Sequence, residues 1–242
     1  MAKHNANSLR RQEARAVVFF VTPFLAGYLF SAAWPMISAI LMSLFNINSL
    51  SSMSDMSKIP FVGLDNYFKV FADGAAMASF GRSLLYTLFY VPALNIFAII
   101  LALLITRAFF LKTFVRTLIF TPYVTNIVAV AILWGLLLNP FGGLVNEALK
   151  LVGVQEGPMW LYGPQTSLPT LAAISVWKDV AFQMIVYMAA INNVPRELYE
   201  SAEVDGASKL RQFFSVTLPM ISPTVFAMVV TSIISSFQNY AL

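Results

Sequence analysis

Five times along this chain an apolar run reaches about 20 residues or more, the length an α-helix needs to cross about 30 Å of hydrocarbon. The runs lie near Val17–Phe45, Leu84–Ile105, Leu118–Leu138, Leu168–Ile191 and Leu218–Phe237. Of the 242 residues, 59% are hydrophobic and 11% charged, against roughly 25% charged in soluble domains. No single water-soluble core hides that much apolar surface. The expected fold class is therefore all-α, a polytopic transmembrane helical bundle. The first run follows Arg10, Arg11 and Arg15 but outruns the apolar core of a signal peptide, about 7–15 residues, and reads as a retained anchor. Pro35, Pro92 and Pro122 fall inside spans, where bends without breaks are expected.

Lysine and arginine orient such a bundle, because their excess stays on the cytoplasmic side. Lys3, Arg10, Arg11, Arg15, Arg107, Lys112, Arg116, Arg196, Lys209 and Arg211 fall in segments on one side, and Lys58, Lys69, Arg82 and Lys150 on the other. Ten against four predicts a cytoplasmic N-terminus, and five spans then bring Gln238–Leu242 to the outer face. The outer segment from about Asn46 to Ser83 reads as a polar surface excursion. In the second outer segment, Leu144 to Val152 is expected to form a short interfacial helix, with Trp160 and Tyr162 at headgroup level.

Several chemistries are excluded. Cysteine is absent and His4 is the single histidine, so neither thiolate chemistry nor a histidine metal cluster or serine–histidine relay can be built. No glycine is followed directly by lysine, which rules out the G-x-x-x-x-G-K-[ST] phosphate loop. If ATP powers this protein, another chain binds it. The basic residues lie in short segments between spans and read as topology signals, not as a nucleic-acid surface. Glu197, Glu200, Glu203 and Asp205 read as a solvated helix face, since a helix cannot fold back to give a cation most of its oxygen ligands. Lys178 and Asp179 stand about halfway along the fourth span. Charge at that depth either lines a solute path or forms a local structural pair, unless the span begins later than drawn. Tyr123, Trp134 and Trp177 can stack on sugar faces, although anchoring and packing explain most membrane aromatics.

The loop between the fourth and fifth spans carries the most specific pattern. Asn192 and Asn193 precede Pro195, acids follow, and Gly206 offers a stop; this predicts a short helix with proline at its first position, then a turn. Ala207 to Ser215 is expected to form a second short helix before Leu218-Pro219 enters the membrane. Leu198, Ala202 and Gly206 fall near one face. Two readings stay open: a docking surface whose small residues let a partner approach closely, or a loop folded on its own bundle, with Leu198 and Tyr199 otherwise exposed.

Glu200-Ser201-Ala202, three residues, Gly206, nine residues, then Val216-Thr217-Leu218-Pro219 resembles the EAA motif of permease subunits of ATP-binding-cassette importers, with serine and valine at two positions usually alanine and isoleucine. Trp134-Gly135, Asn139-Pro140, Gly143-Leu144-Val145-Asn146, Trp177-Lys178 and Pro195-Arg196-Glu197-Leu198-Tyr199-Glu200 resemble the sugar-importer branch, the maltose-, lactose- and glycerol-phosphate-type permeases. The resemblance runs from about Arg10 to the last residue. It implies a type I importer transmembrane domain in a bacterial or archaeal cell membrane. Residues 1–80 then hold the N-terminal tail, first helix and outer loop, and residues 81–242 the permease core, with a coupling loop at about 192–216. It also implies that Glu200, Ser201, Ala202, Gly206, Leu218 and Pro219 couple to a separate ATPase subunit, which binds ATP and magnesium. This chain is then not itself an enzyme and carries no cofactor. A second, related permease and an extracytoplasmic solute-binding protein are the other implied partners. The resemblance further implies a last transmembrane helix beyond Gln238-Asn239-Tyr240, so the chain reads as shortened at its C-terminus. An ion-coupled secondary transporter is the rival class, for which Lys178 and Asp179 are the only intramembrane charges at hand; a membrane enzyme is the remaining one.

Overall fold

The computed structural model describes residues 16–47, 59–106 and 112–238. Lys3, His4, Arg10, Arg11, Arg15, Lys58, Arg107, Asn239 and Tyr240 lie outside the described residues. Nine helices follow in order among those described: α1 (Ala16–Met42), α2 (Asp65–Ala72), α3 (Gly74–Thr106), α4 (Lys112–Val124), α5 (Ile127–Leu137), α6 (Leu144–Leu151), α7 (Ser167–Asn192), α8 (Arg196–Val204) and α9 (Lys209–Gln238). Helices α1, α3, α7 and α9 are each long and apolar enough to cross a membrane, and α4 with α5 makes a fifth, broken segment.

Two compact units divide the chain after Ala78. In the first, α1 is followed by a bridge between Phe45 and Phe61, whose rings meet edge to face at 5.3 Å. Asn66 secures it by donating from Nδ2 to the carbonyls of Ser43 and Phe45, both at 2.9 Å. The supposed polar excursion from Asn46 to Ser83 is thus largely helical past residue 64: α2 occupies Asp65–Ala72 and α3 starts at Gly74, ten residues before Leu84.

In the second unit, α7 is the most buried span. Ala172, Val176, Val180, Met184 and Tyr187 pack against Tyr90, Leu94, Ala98 and Ala102 of α3, and Ile221 of α9 closes the cluster. Small residues on α3 let the helices approach, which is how membrane helices associate where no hydrophobic drive between them exists.

The prolines behave in three ways. Pro92 lies inside α3 without ending it. Pro35 and Pro219 each follow a widened π-turn by two residues: Leu29–Ala33 precedes Pro35 and Phe213–Thr217 precedes Pro219. In both turns the residue before proline donates five residues back, Trp34 to Leu29 and Leu218 to Phe213. Proline has no N–H to give and its ring crowds the carbonyl four residues earlier, so one extra residue in the turn absorbs the defect. The third span departs from expectation. Instead of a bend at Pro122, the chain breaks at Thr125–Asn126 and turns by 100°. Asn126 starts the new helix by accepting the Val128 N–H at 2.8 Å, so a capping side chain sets the break, not the proline three to four residues earlier.

The expected short helix is present as α6, and Trp160 is held by polar and apolar contacts within the loop and bundle. Its indole Nε1 donates to Asn146 Oδ1 at 2.7 Å, and its ring packs on Val130, Leu138 and Ile174. Asn146 is buried and also donates to the Pro158 carbonyl. A Cβ at Gly157 would come within 2.4 Å of the Asn146 side chain, so this loop closes around one asparagine. Tyr162 is exposed.

Candidate functional site: the loop helix and the polar seam

Pro195 takes an extended ψ of 134° and stands at the cap of α8, so the helix begins at Arg196, one residue later than the expected start at the proline. Glu197 lies in the first turn, favoured there by the dipole. At the other end the Ala207 N–H reaches Ala202 O at 2.8 Å and the Gly206 N–H reaches Glu203 O at 3.0 Å, the paired bonds of a Schellman stop. That stop needs a left-handed residue, and Gly206 has φ +73°. A Cβ built there meets nothing within 4 Å, so conformation alone, not crowding by its own chain, demands glycine.

The expected second short helix is not separate. Ser208 caps α9 by accepting the Arg211 N–H at 3.3 Å, and α9 runs from Lys209 through the π-turn to Gln238. The last span therefore starts nine residues before Leu218, and α8 leads straight into its base. Tyr199 packs on the bundle core, as the reading of a loop folded on its own bundle requires, and its hydroxyl bonds Thr217 Oγ1 at 2.9 Å. Gln212 is buried and donates to the Ala207 carbonyl at 3.1 Å. Ala202 is half-buried, whereas Glu200, Ser201 and Gly206 are exposed; Leu218 is half-buried and Pro219 exposed. Both loop readings therefore have residues: one side of α8 is anchored, and the side bearing Glu197, Glu200, Ser201 and Val204 faces outward. Glu203 bonds Lys209, whose hydrogen bond and charge hold the Glu203 carboxyl below its usual range. Among the described residues no group of three or more His, Asp or Glu could hold a metal.

Halfway along α7, Lys178 Nζ lies 3.7 Å from Asp179 Oδ1 and 5.8 Å from the centre of the Tyr123 ring. The Tyr90 hydroxyl of α3 donates to Asp179 Oδ2 at 2.9 Å. Tyr90 stacks on Tyr86, whose hydroxyl donates to Ser175 Oγ at 2.9 Å. Tyr123 stacks on Phe182, and Trp134 meets Trp177 edge to face at 5.4 Å. Deeper in the bundle, the Tyr187 hydroxyl donates to Asn95 Oδ1. Asn95 Nδ2 and Gln183 Nε2 both donate to Ser232 Oγ of α9, at 3.3 and 2.6 Å. Gln183 Oε1 is buried with no hydrogen-bond partner among the described residues. A polar seam thus joins α3, α7 and α9. Sequence reading found Lys178 and Asp179 but missed Tyr90, Asn95, Gln183 and Ser232; an asparagine and a glutamine within apolar spans were the available signal.

Residues 94–242, which contain the whole α8 loop and all of the seam except Tyr86 and Tyr90, match the model of the binding-protein-dependent transport system inner membrane component family. The chain belongs to that family. The probable ABC transporter permease protein YesP of Bacillus subtilis (strain 168) is 31% identical over 234 residues, covering 95% of this chain and 72% of that protein. The sn-glycerol-3-phosphate transport system permease protein UgpA of Yersinia pestis bv. Antiqua (strain Antiqua) is 30% identical over 217 residues, 90% of this chain and 71% of that one. A chain of a bacterial alginate ABC transporter, solved with an alginate pentasaccharide-bound periplasmic protein, superposes with a TM-score of 0.76 at 26% identity, covering 91% of this chain and 72% of its own. The protein is thus a transmembrane permease subunit of an ATP-binding-cassette importer with the type I fold, an inner membrane component, and the ion-coupled alternative falls away.

Proposed function

We propose that this permease forms part of the path for a sugar or sugar-like solute and couples it to ATP hydrolysis on a separate subunit. The relatives support the solute class: one is named for glycerol 3-phosphate and one carries alginate, an acidic polysaccharide. The observation that carries the coupling role is α8 itself. It exposes Glu200 and Ser201, ends on the left-handed Gly206, and is tied through Tyr199 to the base of α9, so a push on its outer face reaches a span. Ala202, Leu218 and Pro219 belong to the same device. ATP and magnesium bind to the partner ATPase, and this chain catalyses nothing itself. A second, related permease and an extracytoplasmic solute-binding protein complete the importer, with the N-terminus in the cytoplasm.

Lys178 and Asp179 line the path in this reading, supported by the aromatic rings beside them and by the open acceptor on Gln183, since a buried polar group left unpaired calls for a partner. Two experiments test the proposal. In the reassembled complex, ATPase activity and uptake are measured over a panel of solutes; stimulation by no sugar-like member refutes the solute class. Cysteine at Ser208 should react with an impermeant reagent only from the cytoplasm and cysteine at Ser54 only from outside; labelling of both from one face refutes the orientation.

A further inference from the structure

At the end of the bundle away from the α8 loop lies a polar cleft that neither the loop nor the mid-span pair accounts for. Its volume of 310 Å³ is at the small end of ligand clefts, roughly 300–1,000 Å³. Three helices line it: α3 with Arg82, Ser83 and Tyr86, α7 with Leu171, and α9 with Ser236 and Phe237. Among the described residues Arg82 is its one charged lining residue, and no carboxylate lines it.

The 22 residues of Leu84–Ile105 already span about 33 Å of α3, enough for the hydrocarbon. Arg82 therefore stands just past the apolar layer, where its charge is tolerated. Its Nη2 donates to Ser79 Oγ at 3.0 Å, which uses one of five guanidinium N–H donors. The Ser83 hydroxyl donates to the Ser79 carbonyl and that of Ser236 to the Ile233 carbonyl; Ser236 Oγ also shares a 2.8 Å hydrogen bond with Thr87 Oγ1, so Ser83 keeps its lone pairs and Ser236 one for an incoming hydroxyl. Leu171 and Phe237 give an apolar wall. Inward, Tyr86 leads by its stack on Tyr90 to Asp179 and Lys178, so the cleft stands at the head of the polar seam.

We propose that this cleft receives an anionic group, a carboxylate, phosphate or sulfonate, borne by the sugar-like solute. Arg82 takes the oxyanion, and the hydroxyls of Ser83 and Ser236 accept from the solute's own hydroxyl groups. The inference rests on the reading of this chain as part of a sugar-type path. A fork of N–H donors suits a planar or tetrahedral oxyanion better than a neutral hydroxyl does, so charge is what the cleft selects.

The test has two parts. Saturation-transfer NMR on the assembled importer, in a detergent without phosphate, compares glucuronate with glucose for wild type, Arg82→Gln and Arg82→Lys. Wild type should bind glucuronate about tenfold more tightly than glucose, the preference should vanish in Arg82→Gln, and Arg82→Lys, which keeps the charge but not the fork, should keep only part of it. Uptake by the same complex over matched neutral and anionic sugars is the second part. If no sugar of either kind is taken up, the sugar-path reading fails while the NMR comparison still decides the cleft. Equal binding of the two probes to wild type, or an equal loss of both in Arg82→Gln, would overturn the proposal. So would glucuronate binding abolished by transfer to phosphatidylcholine nanodiscs, which would assign Arg82 to a lipid phosphate instead.

Discussion

Tyr199 on the loop helix and Thr217 at the base of the last span share a 2.9 Å hydrogen bond, although eighteen residues separate them. Thr217 is buried and closes the π-turn that precedes Pro219, so the bond joins the piece that faces outward to the irregular turn of α9. Tyr199→Phe keeps the ring in the core and removes only the hydroxyl. The expected outcome is a stability loss of about 1 kcal/mol, unchanged ATPase binding, and more ATP hydrolysed per solute imported. Measuring hydrolysis and uptake on the same proteoliposomes checks this; an unchanged ratio removes Tyr199 from the coupling role.

The mid-span pair answers to a different comparison. Lys178→Met leaves the Asp179 carboxylate with Tyr90 alone, whereas Lys178→Met with Asp179→Leu removes both charges. Breaking one side of a desolvated pair costs more than replacing both sides. Side-chain exposures of 16% and 32% reduce the difference to about 1–2 kcal/mol. Thermal unfolding should therefore rank the single variant below the double. If the pair lines the path, the inserted double variant also changes solute preference or rate; unchanged transport would leave the pair a structural contact.

Much of this was legible in the residues. Apolar runs announced every span, because lipid permits only helices or closed barrels to cross it. The spacing from Glu200 to Pro219 announced the loop. The break at Thr125–Asn126 was not legible, since whether asparagine caps a new helix or stays within one depends on the packing available to α5. Whether Tyr199 faced a partner or its own bundle stayed open in the sequence, because its partner Thr217 comes within reach only when α9 starts at Lys209. The Asn95–Gln183–Ser232 cluster joins three spans distant in sequence, and no local pattern pairs them.

The ion pair that flanks the Gly206 turn makes a prediction in pH. Lys209 holds the Glu203 carboxyl below its ordinary value, so the contact is fully present above the unfolded carboxylate pKa of about 4.3 and is lost as pH falls through the lowered folded value. Because both side chains are exposed, salt should weaken it. A carboxyl ¹³C titration of Glu203 should show a midpoint below the ordinary carboxylate value, moving up towards it in Lys209→Met. An ordinary midpoint in the unsubstituted protein would remove the pair.

Gly206 offers the sharpest test of what α8 is for, because its own chain asks only one thing of it. The left-handed φ of +73° costs an ordinary L-residue roughly 1–2 kcal/mol, and asparagine less. No atom lies within 4 Å of the position a Cβ would take, so the isolated subunit should not distinguish Ala from Leu. Gly206→Ala and Gly206→Leu are therefore expected to lose similar stability, and Gly206→Asn to recover part of it. A docked ATPase changes that ranking. If its surface approaches this turn closely, Leu holds it away while Ala barely does, so pull-down of the ATPase by matched amounts of inserted protein should fall in the order Gly, Ala, Leu, out of step with stability. Coupled uptake should follow the pull-down order. Should Ala and Leu variants capture the ATPase equally and import equally, the turn serves only to end the helix, and the docking face must lie elsewhere on α8.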